Sequence, residues 1–302
     1  MNNNFGPENF EGFAYLDFDN FTVAWNIARG MFCTTSQLPN DEYKNSFLST
    51  HMAGLLSNNS ADRLYAELAI EKIRLLYFPN CVSRLKGAFI FDEIDSISRF
   101  WACNNWGPHF KDEYLADIGV ASTHSTKVDA NWINYIMDES CKLKGDFGES
   151  VKNYWRGIPY PDKEPIWERI IEGYITIWSN DIRKKAIENI LSIHPNSWIF
   201  LRYASLCAKA GLTEGQIFPF ITQHNSTVKI DYFMQAKYIQ DAQFIDSLLA
   251  YDTGNSITIE NVGSEYEFIQ IPDLSGFSKE LTVNDKNGFS DLVKLLINGQ
   301  SI

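Results

Sequence analysis

A mixed α+β fold is what this sequence predicts, on three observations. Short runs that alternate, or that are dense in aromatic and β-branched residues, have the length of strands; "FAYLDF" (13–18) and "GAFIF" (87–91) are the clearest. Longer stretches place apolar residues at helical spacing, "ADRLYAELAIEKIRLLY" (61–77) foremost. The two kinds of segment interleave along the chain.

The elements follow in order. After the strand at 13–18, "NFTVAWNIARG" reads as a helix closed by Gly30 just past its end. The helix at 61–77 gathers Leu64, Leu68 and Leu75 with Tyr65, Ile73 and Leu76, takes Ser60 as its N-cap, and ends before Pro79. The strand 87–91 leads to Asp92, which caps a helix carrying Ile94, Ile97 and Trp101. "EYLADIGV" (113–120) reads as a strand, "ASTHSTKVD" as a polar loop, and Ala130 to Lys142 as a helix. In "NYWRGIPYPDKEPIWERIIEGYITIW" (153–178), Glu172-Gly173 suits a tight hairpin turn, with helix the competing assignment for 166–171 because Pro165 fits a first helical position. Helices are expected at 180–193 and 197–210, separated by His194-Pro195, and again in "QDAQFIDSLLAY" and "GFSDLVKLLING". A hairpin around Gly263-Ser264 is expected at 256–271. A soft boundary falls near 180–195.

A length of 302 residues admits one large domain or two modest ones, and 45% hydrophobic with 14% aromatic content supplies an ample core. The formal charge of −12, from 26 basic and 38 acidic residues, repels phosphate backbones at long range. That argues against a general nucleic-acid binder while leaving room for a local basic pocket for one small anion or nucleotide. Five scattered cysteines with no Cys-x-x-Cys pair imply neither a disulfide framework nor a zinc site. The start "MNNNFGPENFEG" lacks the basic and apolar regions of a signal peptide, and no apolar run approaches the roughly 20 residues that span a bilayer. The expectation is a soluble cytoplasmic protein with reduced thiols and no membrane association.

No phosphate-binding Gly-rich loop, nucleophile elbow or His-Glu-x-x-His motif is present, and the five histidines are not at ligand spacing, so no metal is expected. Cys81 reads as a packed thiol. What stands out is the Ser83-Arg84 pair at the mouth of a buried strand. It suits strand-edge capping with a surface ion pair, and equally an anion held between two helices.

The segments "EKIRLLYFPNCVSRLKGAFIFD", "YLADIGV", "YWRGIP" and "PIWERIIEGYITI" resemble an uncharacterised bacterial family assigned the ADP-ribosyltransferase fold, over roughly residues 13–205. The resemblance implies a split mixed β-sheet with flanking helices over residues 1–205, and a helical and hairpin extension, 206–302, packed on it. It implies NAD as substrate, with ADP-ribose transferred to a macromolecular acceptor and nicotinamide released. Carried over by position, Glu168 is the late-strand catalytic carboxylate, which favours the positive charge that develops on ribose. Ser83 lies near the nicotinamide ribose, and Arg84 offers a fork for the diphosphate. Tyr15 stands where the family carries His or Arg on its first strand. Trp132, Tyr154 and Trp155 offer stacking walls, or else are core aromatics.

A second assignment uses Glu265 and Glu267, similar to the Glu-x-Glu strand of toxin-type enzymes, with "WIFLRYAS" and "HNSTVKI" upstream; Arg202 lies there in a segment read as helix. By analogy, the role is that of a toxin or phage-conflict factor with a neutralising protein partner, and a protein acceptor is favoured over nucleic acid. The alternatives are a non-enzymatic interaction module that keeps the fold, and NAD hydrolysis without an acceptor.

Overall fold

The computed structural model describes residues 3–38, 46–58, 61–102, 110–252, 270–282 and 289–298. It is an α+β protein. Strands β1 (Asn4–Phe5) and β2 (Glu8–Tyr15) precede helix α1 (Phe21–Arg29) and strand β3 (Met31–Cys33). Helices α2 (Thr50–Asn58) and α3 (Ala61–Tyr77) lead to strand β4 (Ala88–Ile90) and helix α4 (Ile94–Ala102). The long strand β5 (Leu115–Asp129) follows, then the short helix α5 (Ile133–Ile136), helix α6 (Phe147–Trp155) and strand β6 (Trp167–Ile177). Helices α7 (Asn180–Ile193) and α8 (Trp198–Lys209) precede strands β7 (Ile217–His224) and β8 (Thr227–Met234). Helix α9 (Ala242–Leu249), strand β9 (Lys279–Thr282) and helix α10 (Phe289–Asn298) complete the described elements.

β5 and β6 form the antiparallel spine of a six-stranded sheet. β1 and β2 pair in tandem with the outer edge of β5, and β4 and β3 with the outer edge of β6. Phe13 of β2 and Phe91, just past β4, exchange two backbone hydrogen bonds of 2.8 and 2.9 Å, so the sheet curls until its two edges meet. β7, β8 and β9 make a separate three-stranded sheet. Every pairing among the described strands is antiparallel, which corrects the expectation of a mixed sheet.

The β5–β6 spine also corrects two local expectations. The polar run 121–129 is not a loop but the second half of β5, because its hydroxyls find partners. Ser125 Oγ donates to Glu8 Oε1 at 3.0 Å, and Thr126 Oγ1 donates to Asn4 Oδ1 at 2.7 Å while accepting Val82 N–H at 2.8 Å. Glu172-Gly173 makes no hairpin turn, since β6 runs through it without a break, and the helical alternative for 166–171 fails for the same reason. Gly173 instead faces a β-bulge, where the register on β5 slips between Ser122 and His124. Its φ of +145° and the 2.2 Å approach of Ala121 O to a notional Cβ leave room only for glycine.

Helix α1 begins and ends as expected. The Asn20 side chain accepts Thr22 N–H, and Gly30 adopts the left-handed cap at φ 92°. In α3 the buried face differs from the expected one: it includes Glu67, Glu71 and Arg74 beside Leu64 and Leu68, while Leu75 and Leu76 are exposed. Ile94 and Trp101 of α4 are likewise exposed. The helix expected from Ala130 to Lys142 shrinks to one 3-10 turn and the four residues of α5. Ser60 and the hairpin expected around Gly263-Ser264 lie outside the described residues, as do Glu265 and Glu267. Arg202 sits in α8, as read from the sequence.

The segment after α8 shares the core of the spine through Ile217 and Leu248. Trp25 Nε1 donates to Gly215 O at 2.7 Å, and Asn26 exchanges two hydrogen bonds, of 2.9 and 3.0 Å, with the Ile217 backbone. Buried Arg29 donates to the carbonyls of Met31, Leu212 and Glu214. A second core joins α2 and α3 to β7, β8, β9 and α10 through Leu56, Leu64, Ile230 and Val293.

Candidate active site

On one face of β6, between α3, α5 and the turn before β4, lies a cleft of about 1090 Å³. Alternation along β6 sends Arg169 to one face and Glu168 to the other. Arg169 meets Glu8, Ser125 and Asp92 on its face. Glu168 lines the cleft with Arg84 and, from α3, Arg63. Among the described residues, no hydrogen bond and no ion pair within 4 Å reaches the Glu168 carboxyl. Burial pushes it up to about 7; Arg84 and Arg63 pull it down, while Glu67 and Asp129 push it further up.

The counter-charge that Glu168 lacks has been taken by its neighbour. Arg84 Nε and Nη2 donate to Glu67 Oε2 and Oε1 at 3.0 and 3.2 Å, and Arg84 Nη1 donates to the Tyr154 hydroxyl at 2.5 Å. The guanidinium lies 4.9 Å from the Phe89 ring centroid and 5.3 Å from that of Tyr154. Arg63 Nη2 donates to the same Glu67 Oε1 at 2.7 Å. Burial works to raise Glu67, but Arg84 and Arg63 outweigh it and hold the carboxyl down to about 2. Burial also raises Tyr154, so its hydroxyl stays protonated. The floor of the cleft is therefore an Arg-Glu-Arg cluster with Glu168 beside it.

Asp129, next to the β5 residue that faces Glu168, fixes the wall. Its carboxylate accepts from the N–H groups of Asn131, Tyr160 and Ile166 and from Asn131 Nδ2, at 2.8–3.0 Å. It thereby ties the exit of β5 to the entrance of β6.

Of the residues singled out from sequence, Glu168 and Arg84 line this cleft. Ser83 does not: its Oγ accepts Leu85 N–H at 3.2 Å and its carbonyl accepts Gly87 N–H at 2.8 Å, so it shapes the turn that carries Arg84. Tyr15 packs against Phe91, Phe100 and Phe110 and accepts from Trp101 Nε1. It lines a smaller cavity of about 100 Å³, which shares the His51, Phe89 and Phe110 walls with the cleft. Trp132 donates to Ile158 O at 2.6 Å, and Trp155 is fully buried against Tyr154; neither ring lines the cleft. Cys81 is buried, and burial pushes its thiol up.

Sequence reasoning missed Arg63 and Glu67. The signal was present: Arg63, Glu67, Glu71 and Arg74 recur at three- and four-residue spacing on the same face as Leu64 and Leu68. Charges inside an apolar stripe mark buried pairs. Glu71 and Arg74 form such a pair, at 2.8 and 3.0 Å, and Arg74 also donates to Cys81 O at 2.7 Å.

Among the described residues, no helix is long and apolar enough to cross a membrane, and no group of three His, Cys, Asp or Glu side chains is placed to hold a metal. A comparison with curated proteins finds no match for this chain. Residues 16–189, a stretch that holds Arg63, Glu67, Arg84 and Glu168, match the family described as "Protein of unknown function (DUF2441)". The match spans more than half of the 302 residues, and the chain belongs to that family.

Proposed function

We propose that the cleft binds NAD and that Glu168 promotes transfer of ADP-ribose to a macromolecular acceptor on an ADP-ribosyltransferase-like fold. The observation that supports this most is Glu168 itself: a carboxyl that no hydrogen bond or ion pair reaches among the described residues, on a cleft large enough for a dinucleotide, with its proton held to about 7. Such a group is half ionised at neutral pH. It can stabilise a cationic sugar as a carboxylate and can take up a proton.

The step balances with these parts. The bond from ribose C1 to the nicotinamide nitrogen breaks, its electron pair leaves with neutral nicotinamide, and positive charge spreads over C1 and the ring oxygen. The Glu168 carboxylate favours that charge. The acceptor's nucleophilic atom then bonds to C1, and its proton passes to Glu168. Phe89, Phe100 and Phe110 on the cleft wall supply apolar surface for a planar base.

The test is incubation with labelled NAD and a cell lysate, with Glu168→Gln alongside. Label on an acceptor with the wild type alone supports the reading and gives the acceptor class. Free nicotinamide without labelled acceptor points to hydrolysis. Neither product, together with no rise in melting temperature on adding NAD, rejects an NAD enzyme in favour of an interaction module.

A further inference from the structure

The residue expected to hold a diphosphate, Arg84, is already committed. Its Nε–Nη2 edge, the one that makes two parallel bonds to an oxyanion, is taken by Glu67, and Nη1 is taken by Tyr154. Three other cations of the cleft ring α5, and each has capacity to spare. Arg63 is largely buried; among the described residues its Nη1 reaches only the weak acceptor Met137 Sδ, at 3.2 Å, and its buried Nε has no partner. Lys144 and Lys163 sit over one ring, 5.6 and 5.9 Å from the Tyr135 centroid. Lys144 donates to Asn134 O at 2.5 Å. Among the described residues no ion pair joins either lysine to a carboxylate.

Two of the neighbouring acids are occupied elsewhere. Asp138 accepts the N–H groups of Ser140 and Lys142 at 2.9 and 3.0 Å, and Glu164 faces Arg99 at 3.8 Å. Glu139 lines this lip as well, and Asp162 lies beside Tyr160, whose ring stacks on Tyr135 at 4.0 Å. Two ammonium groups over one tyrosine ring, in a cleft that a guanidinium with an unmet donor also lines, concentrate positive potential there in a chain of net charge −12.

We infer that Arg63, Lys144 and Lys163 form an anion site at the α5 end of the cleft, which takes the diphosphate of a nucleotide, and that Arg84 serves only as the counter-ion of Glu67. The inference rests on the NAD reading solely for the ligand that brings the diphosphate. In this arrangement Arg63 bridges the two parts of the site: Glu67 orients it through Nη2, and Nη1, which meets the weak acceptor Met137 Sδ, is left for a phosphate oxygen.

Isothermal titration with ADP, inorganic pyrophosphate and adenosine tests the site without any cleavage step. The wild type is expected to bind ADP at least tenfold more tightly than adenosine, with affinity falling as salt rises. Arg63→Gln and the double variant Lys144→Gln/Lys163→Gln should each weaken ADP binding at least tenfold, and Lys184→Gln on α7 should leave it unchanged. Because Arg63 also pairs with Glu67, the lysine double variant, whose side chains are exposed, decides the matter if Arg63→Gln does not fold. Equal ADP affinity in all variants overturns the inference, as does a wild type that binds neither ADP nor pyrophosphate at millimolar concentration. ADP binding that depends on these three cations, with no nicotinamide released from NAD, keeps the anion site and rejects the transferase. NAD cleavage with an unchanged KM in the lysine variant does the reverse.

Discussion

Glu67 grips both nitrogens of one edge of Arg84, at 3.0 and 3.2 Å, and in doing so leaves Glu168, on β6, with no cation in contact among the described residues. Two carboxylates share one charged neighbourhood and divide it unequally. Glu67 is held down to about 2 by two arginines, and Glu168 is pushed up to about 7 by burial. Environments that drive two acids apart in this way are how one protein assigns one carboxylate to structure and another to proton-coupled chemistry.

If Glu168 acts as a carboxylate, nicotinamide release should rise with pH through about 7 and level off above it, because the active form is the ionised one. Glu168→Gln should lower the rate by roughly 10²–10³-fold, the typical loss on removing one preorganised electrostatic group, and should leave no inflection near 7. A pH–rate profile of both proteins checks this. A wild-type rate that falls through pH 7 would assign Glu168 as an acid instead.

The same carboxyl has a stability cost with a defined sign. Its folded value, about 7, lies above its ordinary 4.5, so between those two pH values the folded protein holds a proton that the unfolded chain has released. Wild-type stability should therefore decline from pH 4.5 to 7 on this account and stay down above that window. Glutamine has no proton to lose. Glu168→Gln should match the wild type near pH 4 and exceed it at pH 8 by up to about 3 kcal/mol. Urea denaturation at both pH values measures the difference.

Glu67→Gln removes the shared counter-ion of Arg63 and Arg84. A destabilisation of about 3–5 kcal/mol is expected, the usual consequence of leaving a buried charge unpaired. The freed arginines should also turn to Glu168 and draw its titration below 7, which carboxyl-specific NMR or infrared titration would detect. An unchanged Glu168 titration in a folded variant would remove Glu67 from control of that group.

Gly173→Ala adds a Cβ where Ala121 O stands 2.2 Å away, at a φ of +145°. The strain should cost at least about 1–3 kcal/mol. It should also disturb Glu168, which lies on the same strand and whose position depends on the β5–β6 register. A thermal melt together with the pH–rate profile separates the two effects. A variant with wild-type stability would show that the bulge relaxes freely.

Much of the secondary structure was legible because it rests on local chemistry. Asn20 and Gly30 bracket α1 through capping, and the 61–77 helix carries its apolar periodicity within its own residues. The second half of β5 was not legible. Its Ser and Thr hydroxyls look solvated until Glu8, Asn4 and Val82, at least 44 residues away in sequence, supply their partners. Glu172-Gly173 was misread for a related reason. Glycine's tolerance of positive φ serves a turn or a bulge equally well, and only the strand on the other side of the ladder distinguishes them.

The sequence by itself determined the α+β class, most of the helices, and the presence of Glu168 and Arg84 as the charged residues flanking the strands of the site. Tertiary structure alone decided what those charges do. Sequence shows that a carboxylate and an arginine exist; a pKa and a free hydrogen-bonding edge depend on distance and burial. It was the packing of α3 against the β4 turn that gave Arg84 to Glu67, left Glu168 without a contacting partner among the described residues, and placed Arg63 on the wall of the cleft.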